Sequence, residues 1–135
     1  MHLTSLGGAY EIGASCHLLQ LDGKSVVLDC GIRPGERADR LLPDLDRLEA
    51  LTEGRVDLVL LSHAHFDHIG ALPLLHSAYP DAPIYATRAT ALLAHVLRRD
   101  VARSHGPIEA EEAPEFPVCD ASQVDAAVEA IQELP

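Results

Sequence analysis

Three histidines and an aspartate fall within six residues in Ser62-His63-Ala64-His65-Phe66-Asp67-His68-Ile69-Gly70. Imidazole nitrogens and a carboxylate at this density make a donor set suited to zinc and similar divalent cations. His63 and His65 are two apart, so in extended backbone their side chains leave on the same side. Asp67 and His68 follow where Gly70 and the next helical stretch force the chain to turn. One such loop can serve two neighbouring metal positions, the arrangement a two-metal hydrolase needs. A structural zinc site is the competing reading, but such sites are normally closed by further Cys or His pairs. Cys16, Cys30 and Cys119 form no C-x-x-C pair. His2, His17, His76, His95 and His105 stand singly and read as ordinary surface or core residues.

Several elements must position this loop. Val56-Asp57-Leu58-Val59-Leu60-Leu61 runs straight into it and reads as a buried strand. Upstream, His2 to Leu6 alternates as a short strand. Residues 14–21 and 25–29 flank Asp22-Gly23-Lys24, where Asp-Gly signals a hairpin. Cys30 to Asp39 carries the Gly and Pro of a loop. Leu42, Leu45, Leu48 and Leu51 recur at helical spacing, with Pro43 tolerable only in a first turn.

Downstream, a short helix is expected from Ala71 to Tyr79, stopped before Pro80, then a strand from Pro83 to Ala86. A longer helix follows from Arg88 to Arg103, with Ala89, Leu92, Leu93, Val96, Leu97 and Val101 as its apolar stripe. Arg88, Arg98, Arg99 and Arg103 concentrate basic charge there and read as a solvated face. Gly106 to Val118 is acidic and punctuated by Pro107, Pro114 and Pro117, an exposed loop. Asp120-Ala121-Ser122-Gln123 has the form of a capping box. It opens a final helix with Val124, Val128 and Ile131 as its buried stripe. A strand-rich start followed by alternating strands and helices predicts an α/β fold, a mixed sheet with flanking helices.

Composition sets limits. A chain of 135 residues can bury a real core, and with 4% aromatics and no Trp that core must be aliphatic. Formal net charge is −11, with ten Lys+Arg against 21 Asp+Glu. That balance is opposite to a free-standing nucleic-acid binder and to a protein drawn to anionic membrane surfaces. Met1-His2-Leu3-Thr4 does not open a secretory signal, and no apolar run reaches the ~20 residues of a membrane span. Three cysteines without pairing suit a reducing, cytoplasmic setting. Cys30 reads as a small buried hydrophobe rather than a reactive thiol.

The His-x-His-x-Asp-His loop after an apolar strand resembles the metallo-β-lactamase superfamily of metallohydrolases. Gly7-Gly8-Ala9-Tyr10-Glu11-Ile12-Gly13-Ala14-Ser15-Cys16 is similar to the opening G-G-x-x-E-[VI]-G-x-S-C of its β-CASP branch of RNA-processing nucleases. Val26-Val27-Leu28-Asp29-Cys30-Gly31 is similar to that branch's next strand. The resemblance runs in order from about Leu3 to about Leu134. It implies the N-terminal half of an αββα sandwich: residues 1–135 as a single partial domain, an N-terminal fragment lacking the β-CASP insert and the C-terminal half. It also implies up to two Zn²⁺ ions, with His63 and His65 on one and Asp67 and His68 on the other. Asp67 and His68 then take part in catalysis, and Asp29 holds the metal loop by hydrogen bonds. Glu11 either braces the opening loop or is merely solvated. Relatives complete the site with a later histidine, a bridging aspartate and a last histidine, whereas no histidine follows His105 here.

The resemblance therefore implies a metal-dependent hydrolase lineage that cleaves RNA phosphodiesters, with RNA as the partner of the full-length protein. The chain by itself is expected to bind zinc weakly and to hydrolyse nothing appreciably. Two other readings stand beside this one: a small-molecule metallohydrolase of thioesterase or lactonase type, and a non-catalytic truncated domain that binds metal or a partner. So partial a domain would associate with a second copy or with a complementary segment, and not with a membrane.

Overall fold

The computed structural model of the chain describes residues 1–36, 38–104 and 119–134, with positions 38, 39 and 98–104 described by backbone alone. β1 (His2–Gly7), β2 (Cys16–Leu21) and β3 (Lys24–Leu28) form an antiparallel meander. The hairpin signal between β2 and β3 is real: Asp22 and Gly23 both take positive φ, 49° and 74°. Asp and Gly tolerate that conformation, and it matches the twist of the flanking strands. There follow α1 (Ala38–Leu41), α2 (Leu45–Thr52), β4 (Leu58–Leu61), α3 (Phe66–Ile69) and α4 (Leu72–Ala78). β5 (Ile84–Ala86), α5 (Arg88–Ser104), α6 (Ala121–Glu129) and β6 (Ile131–Glu133) complete the order. The six strands make one sheet in sequence order, antiparallel up to β3 and parallel from β3 to β6. This is the mixed sheet with flanking helices that the sequence predicts.

Register decides which residues make the core. Leu18, Val27, Val59, Ile84 and Ile131 line up across β2 to β6, and the first four are essentially sealed from solvent. Leu48 of α2, Leu72 and Leu75 of α4, Ala94 of α5, and Ala127 and Val128 of α6 join them in one cluster. Each Leu or Ile sealed there stabilises the fold by about 1.5–3 kcal/mol. The row on the other side of the sheet, Leu28, Leu60 and Tyr85, is only half-buried, so β4 is not buried on both faces as its apolar run suggests.

Three helical expectations need correction. α2 starts two residues after Pro43, because Asp44 caps it by accepting from the Arg47 N–H at 2.9 Å. Its inward positions are therefore Leu48 and Thr52, and Leu51 faces solvent. On α5 the inward residues are Thr90, Ala91, Ala94 and Leu97, whereas Ala89 is exposed and Leu92, Leu93 and Val96 are each 56% exposed. Small alanines allow a helix to lie close to its neighbours, and here closeness outweighed side-chain size. Ile131 belongs to β6, paired with Ile84, and not to the last helix, which ends at Glu129. Asp120 does form the capping box, accepting from Gln123 N while the Gln123 side chain accepts from Asp120 N. The acidic 106–118 stretch, His105 and the side chains of Arg98, Arg99, Val101 and Arg103 lie outside the described residues.

Candidate metal centre

The parallel pairing of β3 with β4 places the ends of both strands side by side, with Leu28 opposite Leu60. Asp29 N donates to Leu60 O at 2.9 Å, which carries Asp29 beside the start of the metal loop. Asp29 is buried and left-handed, φ 59°, a conformation Asp adopts more readily than most side chains. Its carboxylate accepts three hydrogen bonds: from Ser62 N at 2.7 Å, from Ser62 Oγ at 2.7 Å, and from His68 Nδ1 at 2.8 Å.

Beyond β4 the chain runs without regular structure to His65, itself extended at φ −96° and ψ 151°, and then winds into the single turn of α3. The His65 carbonyl accepts from His68 N at 2.8 Å and Ile69 N at 2.9 Å. Asp67 and His68 thus sit on a turn of their own, ahead of α4. Backbone bonds from beneath fix that turn: Ser15 N to Asp67 O at 2.9 Å, Cys30 N to His68 O at 2.8 Å, and Ile32 N to Phe66 O at 3.0 Å. The opening glycine-rich loop and the exit from β3 both rest on the backbone of the metal loop.

Of the four expected ligands, three converge. One ligand atom each from His63, Asp67 and His68 lie within 4.8 Å of one another, and all three residues are half-buried. The His63 and His68 rings stand 3.9 Å apart between centroids, and His68 Nε2 is 3.6 Å from Asp67 Oδ2. His65 is exposed and outside this trio, although its ring meets that of His63 edge-on at 4.6 Å. The donor chemistry fits a divalent ion such as zinc, since two imidazoles and a carboxylate leave a position open. The orientation fits too: His68 Nδ1 is taken up by Asp29, which leaves Nε2 for a metal.

Glu11 braces rather than floats. Its carboxylate takes Arg33 in a two-point pair, Nη2 at 2.6 Å and Nε at 2.8 Å, and Arg33 also donates to the carbonyls of Arg40 and Leu42. The Arg33 hydrogen bond holds the Glu11 carboxyl below its usual range. Cys30 is fully buried, and its hydrogen bond with Cys16, together with burial, pushes the thiol well up, as suits a small residue of the core. Sequence reasoning missed Ser62 and Arg33. The signal for Ser62 was a hydroxyl residue directly before the first expected ligand; its meaning depends on a strand register that no local pattern encodes.

A family model described as the metallo-beta-lactamase superfamily matches residues 9–132. Ribonuclease TTHA0252 of Thermus thermophilus is 38% identical over 118 residues, 84% of this chain and 26% of that protein. Integrator complex subunit 11 of Danio rerio is 39% identical over 102 residues, 73% of this chain and 17% of that protein. Endoribonuclease YSH1 of Saccharomyces cerevisiae is 38% identical over 100 residues, 73% of this chain and 12% of that protein. The chain thus spans about a quarter or less of the length of these relatives. Among solved structures, the metallo-beta-lactamase fold protein YhfI of Bacillus subtilis is similar with a TM-score of 0.50 and 27% identity, over 70% of this chain and 40% of that one.

Proposed function

The chain belongs to the metallo-β-lactamase superfamily, and from that premise we propose that it carries the metal loop of a zinc-dependent hydrolase that cleaves RNA phosphodiester bonds. The observation that carries the reading is the convergence of His63, Asp67 and His68 behind the Asp29 carboxylate. The choice of RNA rests on the relatives that match the same stretch, two of which are named as ribonucleases.

In this reading His63 and His65 would hold one ion and Asp67 and His68 the other, the two positions being near enough for His63 to lie with Asp67 and His68. Zinc so bound supplies a water acidified toward neutrality and a positive clamp on phosphodiester oxygens. The protein's own part is orientation. Asp29 keeps the proton of His68 on Nδ1 and turns Nε2 towards Asp67, so that the two side chains present their donors to one ion-sized gap. The backbone bonds beneath Phe66, Asp67 and His68 keep that gap from drifting, and misplacement by an ångström is costly in catalysis.

A net charge of −11 opposes a polyanion overall. Four ligands from one loop also cannot fix two ions rigidly. We therefore propose that the 135 residues alone turn over little, and that RNA contacts are completed by further protein, whether a second copy or a complementary segment. A cytoplasmic setting is part of the proposal, supported by the free thiols of Cys16, Cys30 and Cys119. Among the described residues no helix is long and apolar enough to cross a membrane.

The test is a chimera in which this chain replaces the matching stretch of the Thermus thermophilus ribonuclease. Zinc-dependent cleavage of labelled single-stranded RNA, abolished by Asp67→Ala with His68→Ala, is the expected result. A folded, zinc-loaded chimera that hydrolyses a thioester or lactone and leaves RNA intact would establish the small-molecule reading instead. One that hydrolyses none of these would establish the non-catalytic reading.

A further inference from the structure

Ser62 lies between the Asp29 carboxylate and both histidines of the converging trio. Its Oγ is 2.7 Å from Asp29 Oδ2, 2.9 Å from His63 Nδ1 and 3.4 Å from His68 Nδ1. Its backbone is pinned at both ends, the N–H to Asp29 Oδ1 at 2.7 Å and the carbonyl by Thr90 Oγ1 at 3.4 Å.

We propose that Ser62 is a positioning residue that relays the Asp29 carboxylate to His63 and fixes which nitrogen of that imidazole is free for a metal. A carboxylate can only accept, and a serine hydroxyl has one hydrogen to give. At 2.7 Å the hydrogen between Ser62 Oγ and Asp29 Oδ2 must be the hydroxyl's own. Ser62 Oγ then faces His63 Nδ1 with lone pairs alone, so the 2.9 Å contact requires the hydrogen to sit on His63 Nδ1. That leaves the Nε2 lone pair of His63 open. His68 reaches the same state directly, because its Nδ1 lies 2.8 Å from the acceptor-only Asp29.

One carboxylate thus sets the tautomer of two imidazoles, one by contact and one through a hydroxyl. Both nitrogens left free are Nε2. A ligand held in its binding tautomer loses less freedom when the ion arrives, and removing such an outer hydrogen bond typically costs 10–100-fold in metal affinity. The inference rests on the metal-centre reading, but its own content is a tautomer that exists before any ion binds.

The experiment is a side-chain ¹⁵N–¹H correlation spectrum of the metal-free, ¹⁵N-labelled chain at about pH 8, above the ordinary histidine range. Zinc affinity is measured in parallel by competition with a chromophoric chelator. The wild type and Ser62→Thr should show His63 protonated on Nδ1. Ser62→Ala should shift His63 toward the Nε2–H form and weaken zinc binding about 10–100-fold, with Ser62→Thr remaining close to wild type. An Nε2–H His63 in the wild type overturns the proposal. So does a folded Ser62→Ala protein with tautomer and affinity unchanged. If Ser62→Ala does not fold, the wild-type spectrum decides alone. A wild type with Nδ1–H His63 that nonetheless takes up no zinc supports the relay and defeats the metal-centre reading, so the two failures are distinct.

Discussion

Gly31 lies directly beneath Asp67: a Cβ placed on Gly31 would collide with the Asp67 carbonyl and meet His68 N at 2.5 Å. The chain leaving β3 therefore runs backbone against backbone with the turn that carries two of the expected ligands. Cys30 N reaches His68 O across the same contact, and Gly31 N reaches the carbonyl of Ser15, whose own N–H holds Asp67 O. Glycine is required here for closeness of approach.

Gly31→Ala should cost about 3 kcal/mol or more, the upper end of what overpacking does in a closed site, because the atoms it strikes are backbone. Urea unfolding reads the loss, and zinc uptake should fall with it. A loss under about 1 kcal/mol would mean that α3 can shift freely, contrary to its backbone anchors.

Asp29 lends itself to a two-variant comparison. Asn preserves the left-handed backbone at φ 59° but places an NH₂ among groups that all donate to Asp29. Asp29→Asn should keep most of the stability and bind zinc about 10–100-fold more weakly. Asp29→Ala should lose the same affinity and a further ~1 kcal/mol of stability from backbone strain. Calorimetric melts with zinc titration distinguish these outcomes; equal affinity in wild type and Asp29→Asn would remove Asp29 from the centre.

Much of this candidate centre is legible in the sequence because the residues that converge in it are close neighbours along the chain. Asp29 was singled out by resemblance, and its carboxylate is found bonded to Ser62 and His68. Ser62 was not, because its partner is 33 residues away and the link depends on Leu28 pairing with Leu60. β6 was missed because three residues carry no periodicity. The α5 stripe was misread because hydrophobicity alone ranks Leu above Ala, whereas close packing against neighbouring elements selects Ala91 and Ala94.

The corrected face of α5 makes its own prediction. Leu93 is 56% exposed and Ala94 is sealed. Leu93→Gln should change stability by no more than about 0.5 kcal/mol. Ala94→Leu should cost about 1–3 kcal/mol through overpacking. The reverse ranking in denaturant unfolding would restore the stripe read from sequence.

Asp57 governs part of the acid limb of stability. Its carboxylate accepts from Ser25 N at 3.0 Å, Arg55 Nη2 at 2.6 Å and Lys24 Nζ at 3.0 Å, tying the hairpin to the entry of β4. The Ser25 N–H first, then Arg55 and Lys24, hold this carboxyl far below the usual carboxylate range. A depressed folded pKa adds stability that is fully present above the unfolded value, about 3.9, and is lost as pH falls through the folded value. Asp57→Asn should therefore flatten the loss of stability below about pH 4, read from urea midpoints across a pH series. An unchanged acid slope would show that Asp57 is not its source.

Under the proposed function, metal is held by His63, Asp67 and His68, with His65 beside them. Zinc titration of the purified chain against a competing chelator tests it most directly, run beside a His63→Ala, His68→Ala double variant whose fold is verified by circular dichroism. Saturable binding of micromolar strength or weaker is expected in the wild type and should disappear in the double variant. A folded wild type that takes up no more zinc than the double variant would contradict it.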